Sequence, residues 1–235
     1  MISNRIRVGA LELAQIIWYL YNRLFYTVIT FYYAVLSSIE QAKKVDRNQF
    51  LDTLNASSSD LRIPKHIALA FSNEINQLDF QSIARLLYWC KQLRIDTITL
   101  YDDCGRLKSR RVELIKHFER HMRSLGFEKH IDRVDGLNII CRRDGCLKFV
   151  EDVKDLVRTT GPKNIDLQRV QEGVGWPTDP ELLISFGSPL CLFGFPAWQL
   201  RLTEILSIPT HRNVPQRIFI DCLKKFSSIA QRQGA

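Results

Sequence analysis

Asp179-Pro180-Glu181-Leu182-Leu183-Ile184-Ser185-Phe186-Gly187 and, a little further on, Gly194-Phe195-Pro196-Ala197-Trp198-Gln199-Leu200-Arg201-Leu202-Thr203-Glu204-Ile205-Leu206 decide the fold. Leu182 to Phe186 is a short apolar run and reads as a buried strand, and Thr203 to Ser207 reads as another. Upstream, Ile63 to Phe71 reads as a buried strand closed by the turn Ser72-Asn73-Glu74. Thr97 to Tyr101 and Leu137 to Cys141 are two more. Helical periodicity fills the gaps. Asp79 is a suitable N-cap for a helix whose apolar face is Phe80, Ile83, Leu86, Leu87, Cys90 and Leu93. Residues 110–125 predict a second helix, with Val112, Ile115, Phe118, Met122 and Leu125 inward and Gly126 stopping it. A third covers 147–158. A last one starts near Pro215, a residue favoured in a first turn, and buries Ile218, Cys222, Leu223, Phe226 and Ile229. Strands alternating with helices imply an α/β domain with a central, mostly parallel sheet flanked by helices. Such sheets bind ligands beyond the C-terminal ends of their strands. No Gly-rich nucleotide loop is present in the sequence.

With 235 residues and 46% hydrophobic content, the chain can bury one ordinary core and still carry an extra segment. Its net charge of +8 favours anionic partners such as polyphosphates or anionic lipid, or simply a solvated basic surface. Nucleic acid is not among the expected partners: no zinc knuckle, RNA-binding aromatic motif or basic zipper is present. Arg106, Lys108, Arg110 and Arg111 read as a solvated face or an anionic-lipid contact. The six cysteines (Cys90, Cys104, Cys141, Cys146, Cys191, Cys222) form no Cys-x-x-Cys pair and suit neither zinc nor a disulfide framework, so a reducing compartment is expected for the globular part. His117 and His121 share a helix face with His130 downstream, but no H-E-x-x-H pattern supports a metal, and none is expected.

Leu13 to Leu36 is mostly apolar and would extend about 36 Å as a helix, enough to cross a bilayer with some tilt. Trp18, Tyr19, Tyr21, Tyr32 and Tyr33 suit membrane interfaces. Asn22-Arg23 stands near the middle, and an arginine there costs about 2.5–3.5 kcal/mol against roughly 5 kcal/mol returned by the apolar residues. Three readings follow: a spanning anchor, a helix lying on the membrane, or a helix packed on protein. Lys43, Lys44 and Arg47 outweigh Arg5 and Arg7, which favours a cytosolic globular domain. The expected organisation is a membrane-anchoring hydrophobic segment over 1–40, a polar linker over 41–62, and a domain over 63–235.

The run D-P-E-L followed by F-P-A-W-Q-L and T-E-I resembles the C-terminal third of cis-prenyltransferases (undecaprenyl diphosphate synthase-like), and more closely their accessory subunits of the Nogo-B receptor type. The resemblance implies that fold for 63–235. It also implies what is missing. Catalytic members read H-[VI]-A-x-x-M-D-G-N in the first strand; this chain reads His66-Ile67-Ala68-Leu69-Ala70-Phe71-Ser72-Asn73-Glu74. Ser72 replaces the magnesium-serving Asp, and a neutral hydroxyl is a poor substitute for a hard anionic ligand. Asn73 puts a Cβ where glycine lets backbone approach phosphate. Ser185-Phe186-Gly187-Ser188-Pro189 replaces the R-T-S-G-E-x-R run that supplies diphosphate-binding arginines. Glu204 matches a metal-assisting Glu but stands without the Asp.

The resemblance also reaches the end of the chain. Arg232-Gln233-Gly234 fits the R-x-G tail with which accessory subunits complete a partner's pocket for isopentenyl diphosphate. A permanent planar charge and an unhindered backbone suit phosphate oxygens. The chain alone is therefore expected to carry no catalytic residue. Mg²⁺ is expected in a catalytic cis-prenyltransferase subunit, with which the chain would form a heterodimer or heterotetramer. The complex would make dehydrodolichyl diphosphate for dolichol synthesis and protein glycosylation at the endoplasmic reticulum membrane. Phe193, Phe195, Trp198 and Leu200 are interface candidates, with simple core packing as their other reading. A membrane receptor or lipid-binding scaffold is the alternative function.

Overall fold

The computed structural model describes residues 2–42, 61–71, 78–127, 135–161, 165–166, 168–170, 179–187 and 191–229. Among them, β1 (His66–Phe71), β2 (Thr97–Asp102), β3 (Leu137–Cys141), β4 (Leu182–Phe186) and β5 (Glu204–Ile208) form one sheet in the order β3-β2-β1-β4-β5. Every pairing is parallel. The chain steps outward from β1 to β3, then returns to the far side of β1 for β4 and β5. The order therefore reverses between β1 and β4, and the crevice beyond their C-terminal ends is the natural ligand position of such a sheet.

The helices are α1 (Ile2–Ala42), α2 (Phe80–Gln92), α3 (Arg106–Ser109), α4 (Arg111–Ser124), α5 (Cys146–Thr160) and α6 (Gln216–Ser228). Strand periodicity divides the core. Ile67, Leu69, Phe71, Ile98, Leu100, Ile184 and Phe186 meet α2, α4 and α6 in the larger cluster. Ala68, Ala70, Tyr101 and Leu183 face the other way and pack with Phe195 in a smaller one. β1 begins at His66 instead of Ile63, because Pro64 has no N–H to give a ladder. Asp79 caps α2 as expected, accepting the Gln81 N–H at 3.1 Å and the Ser82 hydroxyl at 2.6 Å.

The inward face predicted for the second domain helix needs correction. Val112 is 69% exposed and Leu125 is 41% exposed, while Leu114 is fully buried. Arg110, with φ −109° and ψ 27°, breaks the helix off from α3 and resets its phase. The stripe is Leu114, Phe118 and Met122, at successive four-residue steps.

The N-terminal helix also departs from expectation. Among the described residues no helix is long and apolar enough to cross a membrane, so the expected span over Leu13–Leu36 is not found. Arg23 and Asn22 interrupt the apolar run, and the C-terminal turns of α1 are committed to the domain. Tyr33 and Ser37 are buried, and Ile29 packs on the larger core. The Ser37 hydroxyl accepts from Arg85 Nη1 at 3.1 Å. The Glu40 carboxylate accepts the backbone N–H of Gln216 at 2.9 Å and of Arg217 at 3.5 Å, a favourable position at the positive end of α6. Residues 11–28, by contrast, keep a broad apolar surface exposed. Five cysteines are free thiols among the described residues, and Cys90, Cys141 and Cys222 of these are buried.

Candidate functional site

β1 and β4 end as register partners, Phe71 opposite Phe186, so the chain enters and leaves the crevice at these two residues. Both are fully buried. Their rings stack with centroids 5.1 Å apart and planes within 5°, and His211, from the turn after β5, meets Phe71 edge-on at 5.5 Å. Ser185 is fully buried and donates to the Cys191 carbonyl at 2.9 Å. On the other side of β1, the buried Asp102 carboxylate accepts the backbone N–H groups of Arg106 (2.7 Å) and Leu107 (3.1 Å). Burial pushes its pKa up. The described ends of β1, β2 and β4 are thus aromatic core beside the hydrogen-bonded Ser185 and Asp102, with His211 Nδ1 buried and, among the described residues, unpartnered. Ser72 and Asn73, just past β1 in the sequence, lie outside the described residues, as do Arg232, Gln233 and Gly234.

His211 was not singled out in the sequence, where only its place just past a strand could have marked it. Its Nε2 accepts the Asp79 N–H at 3.0 Å, and burial pulls its pKa from 6.5 to about 4. The unfolded imidazole takes a proton below pH 6.5, while the folded one resists until about pH 4. Stability is therefore whole above 6.5 and falls as the pH drops toward 4, by about 3 kcal/mol. In urea melts recorded through that window, His211→Gln, whose amide oxygen can still accept from Asp79, is expected to flatten the slope. An unchanged slope would assign the titration to another group.

The motifs that survive have structural work at the opposite edge of the sheet. His66 Nε2 and Thr99 Oγ1 are hydrogen-bonded at 2.8 Å across β1 and β2. Glu181 accepts the Lys65 N–H through Oε2 at 2.9 Å, and its own N–H donates to the His66 carbonyl at 3.0 Å. Thr203 donates to the Pro180 carbonyl at 2.6 Å, and Arg201 pairs with Asp179 at 2.9 Å. The D-P-E-L and T-E-I segments are thereby stitched to each other and to the start of β1.

Glu204 belongs to this edge. It opens β5 opposite Leu182, which itself pairs with Ile67. Four residue steps separate that level from Phe71, about 13 Å, so the fold does not bring Glu204 to the end of β1. Among the described residues no group of three or more His, Cys, Asp or Glu side chains could hold a metal ion. Asp102 is engaged by backbone and Glu204 lies at the far edge, so these two carboxylates do not meet. His117 stacks on Phe80 and His121 meets Tyr88 edge-on, with burial lowering the His121 pKa.

The interface candidates separate. Phe195 is buried in the smaller cluster, edge-on to Tyr101 at 5.2 Å. Phe193, Trp198 and Leu200 are half-buried. The Phe193 carbonyl accepts the Tyr101 hydroxyl at 2.6 Å, and Trp198 packs on Phe149 of α5 at 5.2 Å. Around them Leu147, Val150 and Leu202 are exposed. In the basic group, Lys108 pairs with Asp144 and Arg110 with Glu113, Arg110 also lying over Phe80.

The fold and site together define a parallel α/β protein whose strand order reverses at β1 and whose β1 and β4 end on a buried aromatic stack. No protein-family model matches the chain. It is 27% identical over 198 residues to the dehydrodolichyl diphosphate synthase complex subunit Nus1 of Mus musculus, covering 74% of this chain and 66% of that protein. The Homo sapiens subunit is 26% identical over 198 residues, and the Schizosaccharomyces pombe subunit 28% over 201 residues, with 67% and 77% of those proteins covered. Two solved structures are also similar. One is a probable undecaprenyl diphosphate synthase from Campylobacter jejuni, 14% identical with TM-score 0.48, covering 73% of this chain and 98% of that one. The other is lavandulyl diphosphate synthase from Lavandula x intermedia, 15% identical with TM-score 0.49, covering 72% and 97%. The chain is a homologue of the subunits named for the dehydrodolichyl diphosphate synthase complex.

Proposed function

We propose that this chain is the accessory, non-catalytic subunit of a heteromeric cis-prenyltransferase. The complex condenses isopentenyl diphosphate onto farnesyl diphosphate and extends a cis-polyprenyl chain to dehydrodolichyl diphosphate, for dolichol synthesis and protein glycosylation. The catalytic partner supplies the Asp, the arginines and the bound Mg²⁺. This chain supplies Arg232-Gln233-Gly234 in trans to the partner's pocket. The observation that supports the reading is a contrast within one sheet: the motif residues are hydrogen-bonded to one another at its N-terminal end, while β1 and β4 end on the buried Phe71–Phe186 stack and the hydrogen-bonded Ser185.

The partner docks on the face carrying half-buried Phe193, Trp198 and Leu200 with exposed Leu202, Leu147 and Val150. The complex works at the endoplasmic reticulum membrane with the globular domain on the cytosolic side, and α1 lies on the lipid surface. Reconstitution tests this. Prenyl transfer is expected only when the chain is mixed with a catalytic subunit, and from neither chain alone. Product from this chain alone would overturn the reading of Ser72. A mixture no more active than the partner alone would favour a membrane receptor or lipid-binding scaffold.

A further inference from the structure

Arg62 stands four residues before β1 and takes no part in the sheet, yet it grips the last turn of α6. Its backbone N–H donates to Ser227 Oγ at 2.8 Å. One nitrogen of its guanidinium, Nη2, donates to the Phe226 carbonyl and to the Ile229 carbonyl, each at 3.4 Å. The guanidinium carbon lies 4.2 Å from the centre of the Phe226 ring, a side chain that is itself fully buried in the larger core. A cation at a helix C-terminus meets carbonyls left without an intrahelical donor and the negative end of the dipole. The ring face adds to the attraction. Ile229, with φ −88° and ψ 117°, is where the chain leaves the helix in an extended conformation. Arg62 therefore ties the exit residue to the core. It does so at the end of the sheet where β1 begins, five strand steps or about 17 Å from Phe71.

We propose that Arg62 is a positioning residue for Arg232: by fixing Ile229 it sets the point from which Arg232 is delivered to the partner's pocket. Arg232 follows Ile229 by three residues, so its Cα lies within about 11 Å of that fixed point whatever course the chain takes between them. A short segment with an anchored root has less freedom to lose on binding than one whose root must also be ordered. The difference goes into placing the guanidinium against the diphosphate, where small displacements are costly in rate. The root also lies away from the crevice at the C-terminal ends of β1 and β4, which suits delivery to a second chain's site. The inference rests on the proposed role of Arg232 in trans, and the test separates the two.

Steady-state kinetics of the complex reconstituted from the full chain and a catalytic subunit decide it. Arg62→Met keeps an apolar stem over Phe226 and removes every donor of the side chain. It is expected to raise the KM for isopentenyl diphosphate about tenfold, with the KM for farnesyl diphosphate and co-purification of the two chains unchanged. Arg62→Lys, which restores the charge without the fork, should recover part of that loss. In an Arg232→Ala background Arg62→Met should add nothing, since the group it positions is gone. Glu40→Ala is the control for stability. It removes the acceptor at the opposite end of α6 and should lower the melting temperature of the full chain with both KM values unchanged. An equal rise in KM in that control, or a full Arg62→Met effect in the Arg232→Ala background, would overturn the positioning role in favour of helix stability. A normal KM in Arg62→Met beside an impaired Arg232→Ala would overturn it and leave the role of Arg232 standing. An Arg232→Ala complex of undiminished activity would overturn both.

Discussion

Replacing Arg232 by alanine is expected to lower prenyl transfer by the reconstituted complex about 10²–10³-fold, the usual loss when one preorganised donor to a developing anion is removed. The two chains should still co-purify, because the substitution removes a substrate contact and leaves the half-buried apolar face of Phe193, Trp198 and Leu200 intact. Guanidinium offers two parallel donors to a diphosphate, so Arg232→Lys should recover charge without the fork and restore only part of the rate. The loss should appear in kcat as well as in the KM for isopentenyl diphosphate. Unchanged turnover with Arg232→Ala would reduce the chain to an anchor or scaffold.

Phe186→Ala is expected to destabilise the domain by about 3–5 kcal/mol. The ring is fully buried at the end of β4 and stacked on Phe71, so truncation leaves a cavity with rigid strand backbone on both sides. Phe186→Leu should cost under about 1.5 kcal/mol, since most of the volume is kept. Urea denaturation of the two variants measures both. If Phe186→Ala cost less than about 1 kcal/mol, the crevice would be open space and not core, and the contrast that supports a non-catalytic role would be lost.

Much of the architecture was legible in the chain because its signals are local. Short apolar runs bounded by turn residues located all five strands within a few residues, and Asp79 and Gly126 marked helix ends for reasons of capping and backbone freedom. The phase of α4 was not legible. Val112 and Leu114 are both apolar, and the choice between them depends on the break at Arg110, whose guanidinium is held by Glu113 and the Phe80 ring. Phe195 could equally be core or interface until Tyr101 was found packed against it.

The candidate site was legible by identity and not by place. The reading of Ser72, Asn73 and the Ser185–Pro189 run as departures from the resembled pattern rests on residue identity alone, and Ser72, Asn73 and 188–190 lie outside the described residues. That Glu204 opens β5 at the far edge of the sheet, and that Arg62 meets the end of α6, depends on strand order and on where α6 docks. What the amino-acid sequence determined by itself is the α/β class, because it follows from local pattern and side-chain type. The tertiary structure alone decided which edge each motif serves and that the end of α1 is part of the domain core. Those facts arise from contacts between residues far apart in the chain, such as Glu40 with Gln216 and Phe71 with Phe186, and no local pattern encodes them.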